Sequence, residues 1–368
     1  MRNERDYHYP VISKITGYKD FIIQFSEIYQ DYSAWKLAQL HGFNPLADIL
    51  GEQIANTLTL PAKRLRPLFM YLTFILCGGK PNEATTQLGI ALETFHSFAL
   101  IHDDITDLAI TRRGADTIEE FFRKRSRHLQ HNDPVHIGLN MAMYAGDILL
   151  FQSTFTAITL PVEPNLLRKI QNCFYEMQTE VVMGQIDDGM GIANDDWEAV
   201  TEERILKILS DKSGKYSIQK PMMLGALLAE TDSLTLEKIE KLGEDFGIVF
   251  QLQDDLLGVF GLESETGKSS ESDIREGKKT LLMYHAYQRA DEIGKQRILA
   301  SVGNHNATKL EIDEVKQIII STGVKQEMEL RCQEGVQNFL KGLQLITQDQ
   351  EVYLQMQLLA EYIINRKS

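Results

Sequence analysis

His102-Asp103-Asp104-Ile105-Thr106-Asp107, followed by Arg112-Arg113-Gly114, and then Gln251-Leu252-Gln253-Asp254-Asp255-Leu256-Leu257-Gly258: the reading of this chain turns on these two stretches. Both fall in segments with helical periodicity. On a helix Asp103 and Asp107 share a face, while Asp104 points roughly 100° away. Clustered carboxylates repel one another, so two such clusters call for cations between them. Mg²⁺ takes oxygen ligands and is commonly completed by substrate phosphates. The plainer reading of Asp103–Asp107 is a solvated acidic helix end. That reading leaves a cost, because acids near a helix C-terminus oppose the macrodipole, and a metal would offset it.

Outward from these motifs the chain reads as helices nearly throughout, because apolar residues recur at three- and four-residue spacing and strict alternation is scarce. Asn82-Glu83 is a plausible helix start, and its pattern runs to about residue 108. In the segment from Leu236, the residues Ile239, Leu242, Phe246, Val249 and Leu256 keep the rhythm, and Val352 to Arg366 is amphipathic. Gly247, Gln251, Asp254, Asp255 and Gly258 form a stripe of small or polar residues. A helical glycine costs about 1 kcal/mol relative to alanine, so this stripe implies close approach of another helix or of a ligand. Three polar loops are expected: a basic connector at 123–134, an acidic Gly-rich stretch at 186–196, and a Gly/Ser-rich one at 261–279. Residues 1–50 are helical in pattern and carry no assigned chemistry. No linker or shift of composition divides the chain, so 1–368 reads as a single all-helical domain.

The bulk numbers narrow the function. The 368 residues include 38 Lys plus Arg against 52 Asp plus Glu, a net charge of −14. That balance argues against nucleic acid as a partner. It leaves room for a polyanionic small substrate if bound Mg²⁺ reverses the local field. Cys77, Cys173 and Cys332 read as buried thiols, without a disulfide framework or zinc site. The start, Met1-Arg2-Asn3-Glu4-Arg5-Asp6, is too charged for a signal peptide. The most apolar run, Leu68 to Cys77, is too short to span a bilayer. A cytoplasmic location and no transmembrane segment are the expectation.

Cations accompany the carboxylates. Arg112 and Arg113 sit just past the first motif, and arginine presents a planar fork suited to phosphate oxygens. Upstream, Lys63-Arg64-Leu65-Arg66-Pro67 is a second cluster; on a helix Lys63 and Arg66 would be three apart and could hold one diphosphate. Lys268 and Lys278 lie in the loop after the second motif, which could close over a diphosphate and exclude water. Taken singly, each cluster is also ordinary surface charge.

Together these pieces resemble the trans-type polyprenyl diphosphate synthases. The resemblance rests on Lys63-Arg64-Leu65-Arg66-Pro67, Glu93-Thr94-Phe95-His96, Asp103 to Asp107 with Arg112-Arg113-Gly114, Gly184-Gln185 and Asp211-Lys212-Ser213. It continues through Phe250-Gln251 to Asp255, Thr266-Gly267-Lys268, and Asp273-Ile274-Arg275-Glu276-Gly277-Lys278-Lys279-Thr280, in order and with matching spacing. It implies an all-α helical bundle around a deep central cavity and a homodimer. It also implies a reaction: an allylic diphosphate ionises with help from Mg²⁺, three ions per active site, and isopentenyl diphosphate attacks the cation.

By the same resemblance Asp103, Asp107 and Asp254 are the metal ligands, with Asp104 and Asp255 beside them. Arg112, Lys212 and Lys268 meet the allylic diphosphate. Lys63, Arg66, His96 and Arg113 form the isopentenyl diphosphate pocket. Ser213 and Gln251 lie near the developing cation, with Gln185 in the same wall. Phe98 and Ala99 set chain length, and one aromatic with a small neighbour implies the geranylgeranyl (C20) class. A C15 or longer product is the nearest alternative. A class I terpene cyclase or a non-catalytic partner subunit are the others. Two departures stand out. Pro61 and Ala62 replace the glycines common before the Lys-Arg cluster, and Gly258 stands where many members carry a third aspartate.

Overall fold

The computed structural model describes residues 7–12, 15–130, 132–192, 196–261, 271–347 and 349–366. Contacts group the chain into two compact units, residues 1–171 and 172–368. The only strands among the described residues are two-residue ones, so the expected all-α class is observed. No described helix is long and apolar enough to cross a membrane.

In the first unit, α1 (Tyr18–Leu37) carries an aromatic face, Phe21, Phe25, Tyr29 and Tyr32, all buried. It packs on α2 (Pro45–Thr59) and α3 (Leu65–Leu76). The helix expected from Asn82 is α4 (Glu83–Thr106): Asn82 and Thr85 close a reciprocal capping box that satisfies donors of the first turn. Its first half is buried on every side, as expected of a helix at the centre of a unit. The polar residues there are paired: Gln87 donates to the Thr156 carbonyl at 2.9 Å, and the Ala91 carbonyl accepts from Ser153 at 2.9 Å. A hairpin follows, β1 (Thr111–Arg112) against β2 (Ala115–Asp116). Its central residues, Arg113 and Gly114, both take positive φ, the requirement of a tight two-residue hairpin turn. Then come α5 (Ile118–His128) and α6 (Pro134–Ile158), both packed near α4.

The basic connector expected at 123–134 is therefore shorter, because α5 takes residues 123–128. Thr117 caps α5, glutamates 119 and 120 fill its first turn, and Arg125, Arg127 and His128 its last, all matched to the helix dipole. The high charge hides an apolar face carrying the buried Ile118 and Phe122.

α7 (Pro164–Ile186) contains the boundary between the units and continues as a π-helical turn over Asp187–Gly191, within what read as an acidic loop. In the second unit α8 (Glu202–Leu209) leads into a ten-residue π-helical stretch, Ser210–Gln219, then α9 (Lys220–Leu228) and the long α10 (Ser233–Phe260). The remaining helices are α11 (Ser272–Glu276), α12 (Leu281–Arg289), α13 (Glu292–Ser301), α14 (Lys309–Ser321), α15 (Val324–Gln344) and α16 (Gln350–Asn365). On α10 the expected apolar face is buried at Ile239, Phe246, Val249 and Leu256, and Phe246 stacks on Phe339 of α15 at 4.1 Å. None of the three cysteines forms a disulfide; Cys173 and Cys332 are buried and Cys77 only half so.

Part of the small-residue stripe of α10 turns out to serve backbone packing. A Cβ at Gly247 would lie 2.7 Å from the Gly214 carbonyl oxygen, so the π-helical stretch rests directly on α10. Gly247→Ala is expected to cost about 1–3 kcal/mol, the range for overpacking a filled interior. Denaturant unfolding monitored by circular dichroism checks this; an unchanged midpoint would mean the two backbones are not held in contact.

Candidate active site

The first unit assembles its predicted residues around the C-terminal half of α4. Asp103 and Asp104 lie in its last turn and Asp107 is its C-cap, so the carboxylates project where the helix ends. Arg112, on the first strand of the hairpin, donates through Nε to Asp104 at 2.5 Å and through Nη2 to Asp103 at 3.3 Å. The reversal just after α4, where Leu108 takes positive φ and the Ala109 N–H donates to the Asp104 carbonyl at 2.9 Å, thus explains the spacing between the motif and its arginines.

The Lys63–Pro67 cluster is organised differently from the helical pair expected. Arg64, at positive φ, is the N-cap of α3, so Lys63 precedes the helix and is not an i, i+3 partner of Arg66 within it. Arg64, which the sequence reading left without a role, is buried. It donates to Glu93 at 2.6 Å and to the Leu58 carbonyl at 3.2 Å, and its guanidinium lies over the Tyr29 ring, 4.7 Å from the centroid. This pair joins the start of α3 to α4 one turn before His96. Lys63 is half-buried and Arg66 buried.

His96 is where the cations converge. A small cavity of about 20 Å³ is lined by Arg64, Glu93, His96, Asp104, Arg112 and Arg113 among others. Burial, then the charges of Arg66, Arg113, Arg112 and Arg64, hold the His96 imidazole well below its ordinary value. It is therefore neutral, a donor that adds no charge to an already cationic wall. Phe98 is buried against Phe95 and His102, with centroids 5.4 and 4.6 Å away, and Ala99 is half-buried.

The second unit gathers a separate set. Gln185 is half-buried on α7, next to Gly184, and a Cβ at Gly184 would lie 2.5 Å from the Lys212 backbone nitrogen. Lys212 donates to Asp188 at 2.5 Å, and half-buried Ser213 follows it in the π-helical stretch. On α10, Gln251 donates to Asp255 at 3.2 Å. Asp255 is buried, and its Oδ2 makes no hydrogen bond. Burial, and next the nearby Asp273, push its carboxyl well above the usual carboxylate range. Asp254 accepts from Arg366 at the C-cap of α16, whose guanidinium stacks 4.6 Å from the Phe250 ring centroid and contacts the Phe250 carbonyl at 3.4 Å. Arg366 carries no motif in the sequence, and its partner is remote along the chain. Lys268, with Thr266 and Gly267, lies outside the described residues.

The donors suit Mg²⁺. Both motifs offer only oxygen, and the orphaned Oδ2 of Asp255 is a buried acceptor ready for a cation. Among the described residues no three acidic, His or Cys side chains form a ready-made metal cage. Mg²⁺ is usually held by one or two carboxylates and completed by phosphates and water, so none is needed.

Helices that present two acidic motifs, one beside a cationic pocket, define a class of diphosphate-handling enzyme. The polyprenyl synthetase family matches residues 47–319, and the chain belongs to that family. It is a prenyltransferase. Among its relatives, the short chain isoprenyl diphosphate synthase of Methanocaldococcus jannaschii is 32% identical over 70% of this chain and 72% of its own. The geranylgeranyl diphosphate synthase of Sulfolobus acidocaldarius is 28% identical over 86% of this chain and 91% of its own. A geranylgeranyl pyrophosphate synthase from Corynebacterium glutamicum, solved with isoprenyl diphosphate and magnesium, superposes with a TM-score of 0.85. It has 29% identity and covers 93% of this chain and 99% of its own.

The neutral His96 has a consequence for pH. Once unfolded it takes a proton near pH 6.5, which the folded site refuses. Its contribution to stability is therefore present above that pH and lost as pH falls below it. His96→Gln is expected to flatten this part of a plot of Tm against pH; an identical slope in wild type and variant would show that His96 protonates freely in the folded protein.

Proposed function

We propose that this chain condenses isopentenyl diphosphate with an allylic diphosphate in a Mg²⁺-dependent elongation that ends at the C20 product, geranylgeranyl diphosphate. The observation that carries this reading is the cavity that Arg64, His96, Arg112 and Arg113 line beside Asp104, with Arg112 also reaching Asp103. A reaction with two diphosphates needs a second cationic pocket next to its metal motif, whereas a cyclase acting on one diphosphate does not.

In this reading Lys63, Arg66, His96 and Arg113 hold the diphosphate of isopentenyl diphosphate, His96 by donating an N–H. Arg112, Lys212 and Lys268 hold the allylic diphosphate. Asp103, Asp107 and Asp254 are the Mg²⁺ ligands, for three ions in all. Mg²⁺ supplies neutralisation of the charge that grows on the departing diphosphate. The oxygens of Ser213 and Gln251, with Gln185 near them, face the allylic carbon as it becomes positive. The C20 length follows the named relatives and the single aromatic at Phe98. Both units are read as parts of one catalytic domain, 1–368, acting in the cytoplasm. A homodimer is supported by an exposed apolar stripe on α6, Tyr144, Phe151, Phe155 and Ile158, of a kind that marks interaction surfaces.

Labelled isopentenyl diphosphate with Mg²⁺ and C5, C10 or C15 primers should yield C20 on sizing. Asp103→Asn should lower elongation about a thousandfold, equivalent to roughly 4 kcal/mol of transition-state stabilisation. No elongation from any primer would sink the proposal, and hydrocarbon release without elongation would point to a cyclase. Phe98→Ser should lengthen the product; an unchanged size distribution would remove Phe98 from chain-length control.

A further inference from the structure

Gly258 stands where many family members carry a third aspartate in the second motif, and the structure gives that place to a residue from another helix. α11 brings Asp273 against α10. A Cβ at Gly258 would overlap Oδ2 of Asp273 and sit 2.8 Å from its Cγ. No side chain fits at 258 while Asp273 stays in this position.

Two further observations give this contact a direction. Lys278 donates to Asp273 Oδ1 at 2.9 Å and holds the carboxylate from one side while Oδ2 faces Gly258. Asp255, one turn before Gly258, is 5% exposed, and its Oδ2 has no hydrogen-bond partner. Asp254 adjoins Asp255 in the chain, and Asp273 with its Lys278 partner lies against Gly258 one turn on. A buried acceptor left unsatisfied costs about 1–3 kcal/mol, and two neighbouring carboxylates add repulsion to that. A hard cation relieves both at once.

We propose that Asp273 supplies the third carboxylate of the second metal motif, in place of the side chain Gly258 lacks, and helps to hold the Mg²⁺ assigned to Asp254. The proposal rests on the reading of Asp254 as a metal ligand, and it makes the departure at 258 a relocation of charge rather than a loss.

Equilibrium dialysis of the full chain against Mn²⁺, with an unreactive thiolo analogue of an allylic diphosphate present, reads metal retention without turnover. Asp254→Asn identifies the ion of the second motif. Asp273→Asn should weaken that ion at least about tenfold, the low end for outer-shell metal partners. Gly258→Ala should do the same by displacing Asp273. The double variant Gly258→Asp/Asp273→Ala should regain most of the affinity that Asp273→Ala loses, because it returns the carboxylate to α10. Circular dichroism and Tm separate these effects from misfolding. Retention by Asp273→Asn equal to wild type overturns the inference, and so does a double variant no better than Asp273→Ala. If Asp254→Asn also retains Mn²⁺ unchanged, the failure lies in the assignment of Asp254 itself.

Discussion

The buried ion pair between Arg64 and Glu93 is the contact on which the first unit's site depends. Each partner alone would be an uncompensated charge among apolar side chains, and breaking such a pair by removing one member typically costs about 3–5 kcal/mol. Together they pair through one carboxylate oxygen of Glu93 at 2.6 Å, Arg64 takes further acceptors from Leu58 and Ser26, and the other Glu93 oxygen is buried without a hydrogen bond. The result is geometric. The start of α3 is fixed to the middle of α4, so Arg66 just inside one helix and His96 one turn along the other are held in register. α1 completes the arrangement, since Tyr29 lies under the guanidinium. Residues 1–50 read as a helical stretch without assigned chemistry. Their part is to wall in the arginine that positions the chemistry of others.

The second unit handles charge by a different route. Several of its cations are matched to an acid near them: Lys212 to Asp188, Lys215 to Asp211 and Glu180, and Arg366 to Asp254. Each of these acids and bases sits on a helix or π-helical turn, or caps one, so the charges are placed by backbone rather than by loops.

Much of this was legible in the sequence, for reasons that can be named. α4 announced itself because Asn82 is a good N-cap and the apolar rhythm after it is unbroken. The face of α10 was legible because one side of it is consistently large and apolar. The candidate site residues stood out as types, since clustered carboxylates and arginines at fixed spacing are chemically distinctive. What escaped notice depended on long-range packing or on exceptions to helical geometry. α5 was hidden by its own charge. The hairpin at 111–116 needs positive φ at Arg113 as well as Gly114, which composition alone does not reveal. Lys63 and Arg66 were paired on a helix that in fact begins between them. Arg366 could not be found, because its meaning comes entirely from a partner on another helix.

The π-helical stretch at Ser210–Gln219 carries a consequence for how this sequence can vary. Such stretches hold extra residues relative to an α-helix of the same span. Losing one would let the backbone relax toward the commoner form, and local helix stability would tolerate it. The cost would fall elsewhere: each deleted residue turns everything beyond it by about 100°. Lys212 and Ser213 would lose their orientation relative to α9, and Gly214 would leave its seat on Gly247. The segment is thus a place where a change that favours local folding would disrupt the site. Because nearly every residue from Gly214 to Ala226 is buried, insertions and deletions there would damage packing and the candidate site together.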